Sequence, residues 1–200
     1  DAKLLERVFS QFETRLTELT RGVERLEEAA SWLEASAKKA QLERFLGRVS
    51  RFYASGSQSS SANVFLVWAP PRSSFAIRYG TNIILPLSEA DSRNHDELDH
   101  KIGVVAHEFG HACASQLEQE TKDHVTNRLY EAHGLVNAKH PNVFEEATQT
   151  ALGNIVFMKE WKGKTRETAQ YYSWERGSEY PDAIDSLARA IAPLVEKYLS

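Results

Sequence analysis

Three residues able to build a metal site stand at helical spacing near the middle of the chain. They are His107, Glu108 and His111, in the run His107-Glu108-Phe109-Gly110-His111. The flanks, Ile102-Gly103-Val104-Val105-Ala106 and Ala112-Cys113-Ala114, are apolar, so the run reads as a helix with a largely buried face. Residues four apart on a helix project from one side, one turn apart. Two imidazoles at that spacing can bind one Zn²⁺ at about 2.0–2.1 Å each. Glu108 lies roughly 100° around the helix. There it flanks the metal without ligating it and can take a proton from the water that the metal activates. The chemistry is metal-assisted hydrolysis, most often of a peptide bond. The plain alternative is a helix that carries two histidines on a solvated face. The apolar flanks weigh against it, because buried imidazoles need polar partners.

A hydrolytic zinc needs a third protein ligand and an open position. Glu131, Glu145 and Glu146 compete for the role. Nineteen residues lie between His111 and Glu131, but the segment around Glu131 runs into Gly134, the mark of a helix C-terminus. Glu146 opens a better segment, Glu146-Ala147-Thr148-Gln149-Thr150-Ala151-Leu152-Gly153. With Glu146 at 0° on a helical wheel, Ala147, Thr148, Ala151, Leu152 and Ile155 fall between about 100° and 240°. Glu146 thus points away from the packing stripe, toward a cleft, while Glu145 falls closer to the apolar side. The plain reading of the pair is an acidic first turn, stabilised by the helix dipole.

Val104 to Ala112 and Glu146 to Gly153 resemble the two active-site helices of thermolysin-like gluzincin zinc metallopeptidases. The related metzincins place Gly and His where this chain has Ala114 and Leu117, and peptide deformylases use an upstream Cys, whereas the single Cys here is Cys113. Cys113 reads as a packed residue. The resemblance implies one zinc per chain on His107, His111 and Glu146, with Glu108 as general base and a peptide or protein as substrate. The family's second helix reads Glu-Ala, two residues, Asp, two apolar-leaning residues, Gly. This chain keeps Glu146, Ala147 and Gly153, but has Thr150 where the family has the Asp that orients the first metal histidine. Thirty-four residues separate His111 from Glu146, more than in thermolysin. The resemblance also implies a donor to the tetrahedral intermediate from chain beyond the third ligand. Tyr180, beside Pro181 at the entry to the last helix, is the expected one, with Tyr171 and Tyr172 as alternatives. His133 and His140 could line the cleft; His100 reads as a polar helix end and His124 as solvated. From another functional class, a non-catalytic zinc-binding pseudo-peptidase would use the same fold as a protein interaction module. Thr150 and the long N-terminal helices favour that alternative, and Glu108 disfavours it.

These residues must be held by helices and a small sheet. The chain has 200 residues, a net charge of −4 and a pI near 6. That is enough for a real core and offers no basic field for nucleic acid. No apolar run approaches the roughly 18–20 residues of a membrane span. One cysteine allows no internal disulfide. The chain begins at Asp1, as a mature form or a fragment would, and a periplasmic or secreted location is the expectation.

Leu5, Val8, Phe12, Leu16, Leu19, Val23, Leu26, Ala30, Leu33 and Ala37 step by three and four, and Leu42, Phe45, Leu46, Val49, Phe52 and Tyr53 form a second stripe. They predict an antiparallel helical hairpin with a break near Ser31 or Ala35–Lys39. The stripe is expected to pack on its own chain, with a dimer or protein partner as the alternative. Gly56–Ser61 reads as a loop. Strands are expected over Asn63–Ala69, Phe75–Tyr79 and Ile83–Leu87, with Ile83–Leu85 or Phe75–Tyr79 as an open edge for extended substrate. Helices follow over 97–119, about 122–133, 142–160, 165–176 and 182–199. The fold class is α+β, mostly helical. An N-terminal hairpin spans 1–55, and a zincin-like domain spans 56–200 with a three-stranded sheet, the HExxH helix and the Glu-bearing helix. The two parts could equally form one compact unit.

Overall fold

A computed structural model of the chain describes residues 2–20, 22–53, 62–69, 76–133, 142–163 and 179–200. Helices α1 (Ala2–Thr20), α2 (Val23–Lys39) and α3 (Leu42–Phe52) come first, then strands β1 (Asn63–Trp68), β2 (Ile77–Tyr79) and β3 (Asn82–Leu87). Helices α4 (Glu89–Ser92), α5 (His95–Ser115), α6 (Gln119–His133) and α7 (Val143–Thr150) follow. A π-helical segment (Ala151–Phe157) continues α7 into α8 (Met158–Lys162), and α9 (Glu179–Leu199) closes the chain. The architecture is α+β and mostly helical, with one small mixed sheet, as the sequence pattern indicates. The expected helix over 165–176 lies outside the described residues.

The N-terminal helices break at the end of the expected Ala35–Lys39 window, not at Ser31, and once more where the periodicity gives no sign. One break is at Gly22; the other is at Ala40-Gln41, just past Lys39, where Gln41 takes a left-handed backbone with φ 52°. A residue with a Cβ in that conformation costs roughly 1–2 kcal/mol, which the packing of α3 must offset. Phe45, Leu46 and Val49 supply it by burying themselves against α5 and α9. Helix α2 packs on α3, α5 and β1, with Ala29 fully buried. No described side chain of helix α1 joins this core. Leu4, Leu5, Val8, Phe9 and Phe12 are exposed, and none of its described side chains is buried. The apolar stripe that runs unbroken through the sequence is therefore interrupted at Gly22, with exposed apolar side chains over Leu4–Phe12 and buried ones from Ala29 on.

The strand order is β1-β3-β2, with β1 parallel and β2 antiparallel to β3. Gly80, at φ 61°, makes the tight β2–β3 turn that a residue without Cβ permits. Because β3 is paired on both sides, Ile83–Leu85 is not an open edge. Ile83, Leu85 and Leu87 instead bury one face of the strand against Val105 and Leu98 of α5. Strands β1 and β2 are the two edges of the described sheet.

Helix α5 is the axis of the molecule. Asn94 caps it by accepting hydrogen bonds from the backbone N–H groups of Asp96 (3.0 Å) and Glu97 (3.4 Å). Ile102, Ala106, Phe109 and Cys113 face the main core, which α3, α7, the π segment and α9 complete. Val105 and Leu98 face the sheet and α2. Buried Asp99 accepts a hydrogen bond from Trp32 Nε1 at 3.0 Å and pairs with Lys162, so α2 and α8 are tied to the same helix. Among the described residues, no helix is long and apolar enough to cross a membrane.

Candidate metal centre

Helix α5 places His107 and His111 one turn apart, with both imidazoles largely enclosed. Helix α7 brings its first turn to the same point. Glu146 Oε2 lies 3.6 Å from His107 Nε2 and 3.4 Å from His111 Nε2, and the two Nε2 atoms are 3.1 Å apart. Three ligand atoms bound tetrahedrally to one zinc at about 2.0–2.1 Å stand roughly 3.3–3.4 Å from one another. The observed triangle brackets that value on its three edges. Two imidazole nitrogens and one carboxylate oxygen are also the donor set of a hydrolytic zinc, and three protein ligands leave a fourth position open. The residues therefore fit a zinc ion. Among the described residues, His107, His111 and Glu146 are the group of potential ligands that converges in this way.

The close approach of the two helices has a sequence cause. A Cβ built on Gly153 would lie 2.3 Å from the carbonyl oxygen of Gly103 and 2.5 Å from the backbone nitrogen of His107. One built on Gly110 would lie 2.1 Å from Gln149 Oε1. At Gly153 only glycine lets the backbones meet, and at Gly110 it leaves room for the Gln149 side chain. The π segment, with its i→i+5 hydrogen bonds, carries Gly153 onto α5; such segments are frequent at functional sites. Gln149 is held in turn by its hydrogen bond to Tyr53 Oη at 2.8 Å. Burial pushes the Tyr53 phenol well above its ordinary range, so it stays protonated.

The electrostatics suit the same chemistry. His111 Nδ1 is 2.9 Å from Glu145 Oε1, so this carboxylate accepts the Nδ1 proton and leaves the Nε2 lone pair free for a metal. The helical wheel turned Glu145 toward the apolar side; in the structure it is exposed and embraces His111 together with Glu146. Burial alone would lower the His111 pKa, but hydrogen bonds to Glu145 and Glu146, with the charges of Glu146 and Glu108, raise it to about 9 in the metal-free protein. The bond to His111 in turn holds the Glu145 carboxyl below its ordinary range. Glu108 is partly buried on the flank of the site, and that burial raises its pKa, as suits a group that must take up and return a proton.

Thr150 does not replace the family's orienting Asp. Its hydroxyl is buried and, among the described residues, has no hydrogen-bond partner. Cys113 is packed in the core, His124 is exposed, and His100 is not part of the converging group. Tyr180 belongs to the first turn of α9, but its side chain lies outside the described residues, as do those of Glu131 and His133 and the whole of His140, Tyr171 and Tyr172. One residue near the site escaped the sequence reading altogether. Arg78 of β2 is close enough for its charge to act on both Glu108 and Glu145. A lone arginine in a three-residue strand gives no signal before the strand's place is known.

Comparison of the chain with family models, with curated proteins and with solved structures finds no match. The geometry of the site is therefore what supports a functional assignment.

Proposed function

We propose that this chain is a single-zinc peptidase of the gluzincin type, with His107, His111 and Glu146 as ligands and Glu108 as general base. The observation that supports it is the triangle of Nε2, Nε2 and Oε2 atoms at zinc-ligand spacing with Glu108 on its flank. A zinc held there would lower the pKa of a water molecule and polarise a peptide carbonyl. The Glu108 carboxylate accepts a proton from the attacking water and returns it to the departing amine nitrogen. Glu145 keeps the His111 ring oriented and its Nδ1 protonated. Gly153 keeps the two helices close enough for Glu146 to reach both histidines. A purely structural zinc has no use for a carboxylate beside the open position, so Glu108 favours catalysis over a binding role alone.

The test separates metal from chemistry. The parent chain should bind about one zinc and cleave members of a broad peptide library. Glu108→Gln should keep the zinc and lose turnover by roughly 10²–10⁴-fold, the scale of a lost general base. His107→Ala, His111→Ala or Glu146→Ala should lose the zinc itself. Zinc bound without any cleavage by the parent chain would refute the peptidase reading.

A further inference from the structure

Arg78 occupies an unusual place for a surface cation. Side chains alternate along β2, and its neighbours Ile77 and Tyr79 point to solvent, at 46% and 69% exposure. Arg78 faces the other way and is half-buried. Its Cα partner on β3 is Ile83, so the two side chains share one face of the sheet. Ile83 is fully buried there and packs with Val105 and Val104 of α5. Glu108 lies one helical turn beyond those two valines. The free edge strand thus presents its cation over the stretch of α5 that carries the general base.

Arg78 is also unpaired. Among the described residues, no carboxylate lies within ion-pair distance of its guanidinium and no hydrogen bond to it is formed, although the carboxylates of Glu108 and Glu145 are close enough to feel its charge. A structural arginine near carboxylates normally closes an ion pair. One held short of them, half-buried, keeps its planar donors available to an incoming group. The group that matches a guanidinium fork is a carboxylate, bound through two parallel hydrogen bonds. Three glutamates surround the site, so an anionic substrate would otherwise be repelled.

We propose that Arg78 anchors a carboxylate of the substrate beside the proposed metal centre, making the enzyme selective for peptides that carry an acidic side chain or a free C-terminus next to the reacting bond. This rests on the peptidase reading above. The anchor works by direct contact, so it shows in binding as well as in turnover.

The decisive measurement uses the full chain as Glu108→Gln, loaded with zinc, which holds peptides without cleaving them. Matched blocked peptides are compared by fluorescence anisotropy, with Glu exchanged for Gln at one position at a time, and with a terminal acid exchanged for an amide. At one of these places the carboxylate form should bind on the order of tenfold tighter or more, the scale of a charged bidentate contact. An internal place identifies an acidic side chain; the terminal place identifies the C-terminus. Adding Arg78→Ala should abolish the preference, Arg78→Lys should keep part of it, and Arg78→Glu should turn it toward lysine. Zinc content and melting temperature should be unchanged, since Arg78 bonds to no described residue. Absence of any carboxylate preference, or a preference that survives Arg78→Ala, would overturn the proposal. Binding selectivity in a chain whose parent form cleaves nothing would refute the hydrolytic reading while the anchor stands. Cleavage without carboxylate preference would do the reverse.

Discussion

The closest contact between the two ligand-bearing helices is made by glycine backbone, and Gly153→Ala is the sharpest way to test whether that contact builds the site. The new Cβ would lie 2.3 Å from the Gly103 carbonyl oxygen, 2.5 Å from the His107 nitrogen and 2.9 Å from the His107 Cα. All three neighbours are main-chain atoms of a buried helix, so none can rotate away. Non-bonded carbon contacts are comfortable at about 3.5 Å, which requires the helices to part by roughly 1 Å. The Glu146 contacts to His107 and His111, now 3.6 and 3.4 Å, bridge those same helices. Spread by that amount, they exceed the roughly 3.3–3.4 Å that one zinc can span. Overpacking of this kind costs about 1–3 kcal/mol, against about 1 kcal/mol gained by removing a helical glycine. The expected result is a net loss of stability and zinc affinity weaker by at least 10–100-fold, the scale seen when outer supports of a metal site are lost.

Gly103→Ala is the internal control. Its Cβ would lie 3.0 Å from the Gly153 carbonyl oxygen and 3.3 Å from Met158 Cγ and Sδ. The unbranched methionine can move aside, so the gain in helix propensity roughly balances the crowding and zinc affinity stays within a few-fold. Chelator competition measures affinity, and thermal unfolding of the metal-free protein measures stability. A Gly153→Ala protein that matches the parent in both, or a Gly103→Ala protein that is the worse of the two, would refute the reasoning.

Glu145→Ala should weaken zinc binding by about 10–100-fold with the fold intact, and Glu145→Gln, which keeps an acceptor for Nδ1–H, should fall between; chelator competition checks both. The pKa of His111 near 9 means that a proton competes with metal at neutral pH, so apparent zinc affinity should climb by about tenfold per unit from pH 7 to 9 and flatten above. The same group stabilises the metal-free fold fully below its ordinary value of 6.5 and loses that contribution as pH rises through about 9; a flat affinity profile over this window would contradict the geometry around His111. Deleting residues 1–21 should leave melting temperature and zinc affinity unchanged, because no described side chain of α1 is buried. Deleting 1–52 also removes Ala29, Phe45, Leu46 and Val49 from the interior and should abolish cooperative unfolding by circular dichroism.

The legible parts of this chain are those whose chemistry and local period coincide. His107 and His111 share a helix, so 3.6 residues per turn suffices to place them together. The start of α5 at His95, two residues ahead of the expected one, is set by the Asn94 cap, which the apolar period does not mark. Glu146 was legible in part because its helix has an apolar stripe that leaves one side for a ligand. The break at Gly22 was hidden because Leu19, Val23 and Leu26 keep the helical step across it; only the backbone at the start of α2 reveals it. Nothing in Ala151–Phe157 marks a π segment, since its geometry answers to Gly153 meeting Gly103 on another element. Glu145 was turned the wrong way because an ideal wheel describes a helix interior, and Glu145 stands in the first turn, where the approach of His111 decides its direction. The centrality of β3 was lost because its second partner, β1, joins from the far side of an intervening strand.

The charge arrangement shows why such a site can exist before any ion arrives. Glu108, Glu145 and Glu146 put three carboxylates around two imidazoles in a partly enclosed space, an arrangement that would repel itself if every group kept its ordinary state. Two features relieve it. His111, charged in the metal-free protein, bonds to Glu145 and Glu146 at once, and burial lifts Glu108 toward its neutral form. A proton on His111 would therefore supply there the positive charge that a bound metal would otherwise bring. The helices that hold the site are secured elsewhere, by Phe45, Phe109, Leu152, Phe157 and Ile184 in a core that contains none of the ligands. A structural zinc site commonly carries much of the folding free energy of its domain; a zinc bound here would sit beside a core that contains none of its ligands. An ion bound here would then exchange with a proton rather than with an unfolded chain, the arrangement expected of the proposed catalytic zinc.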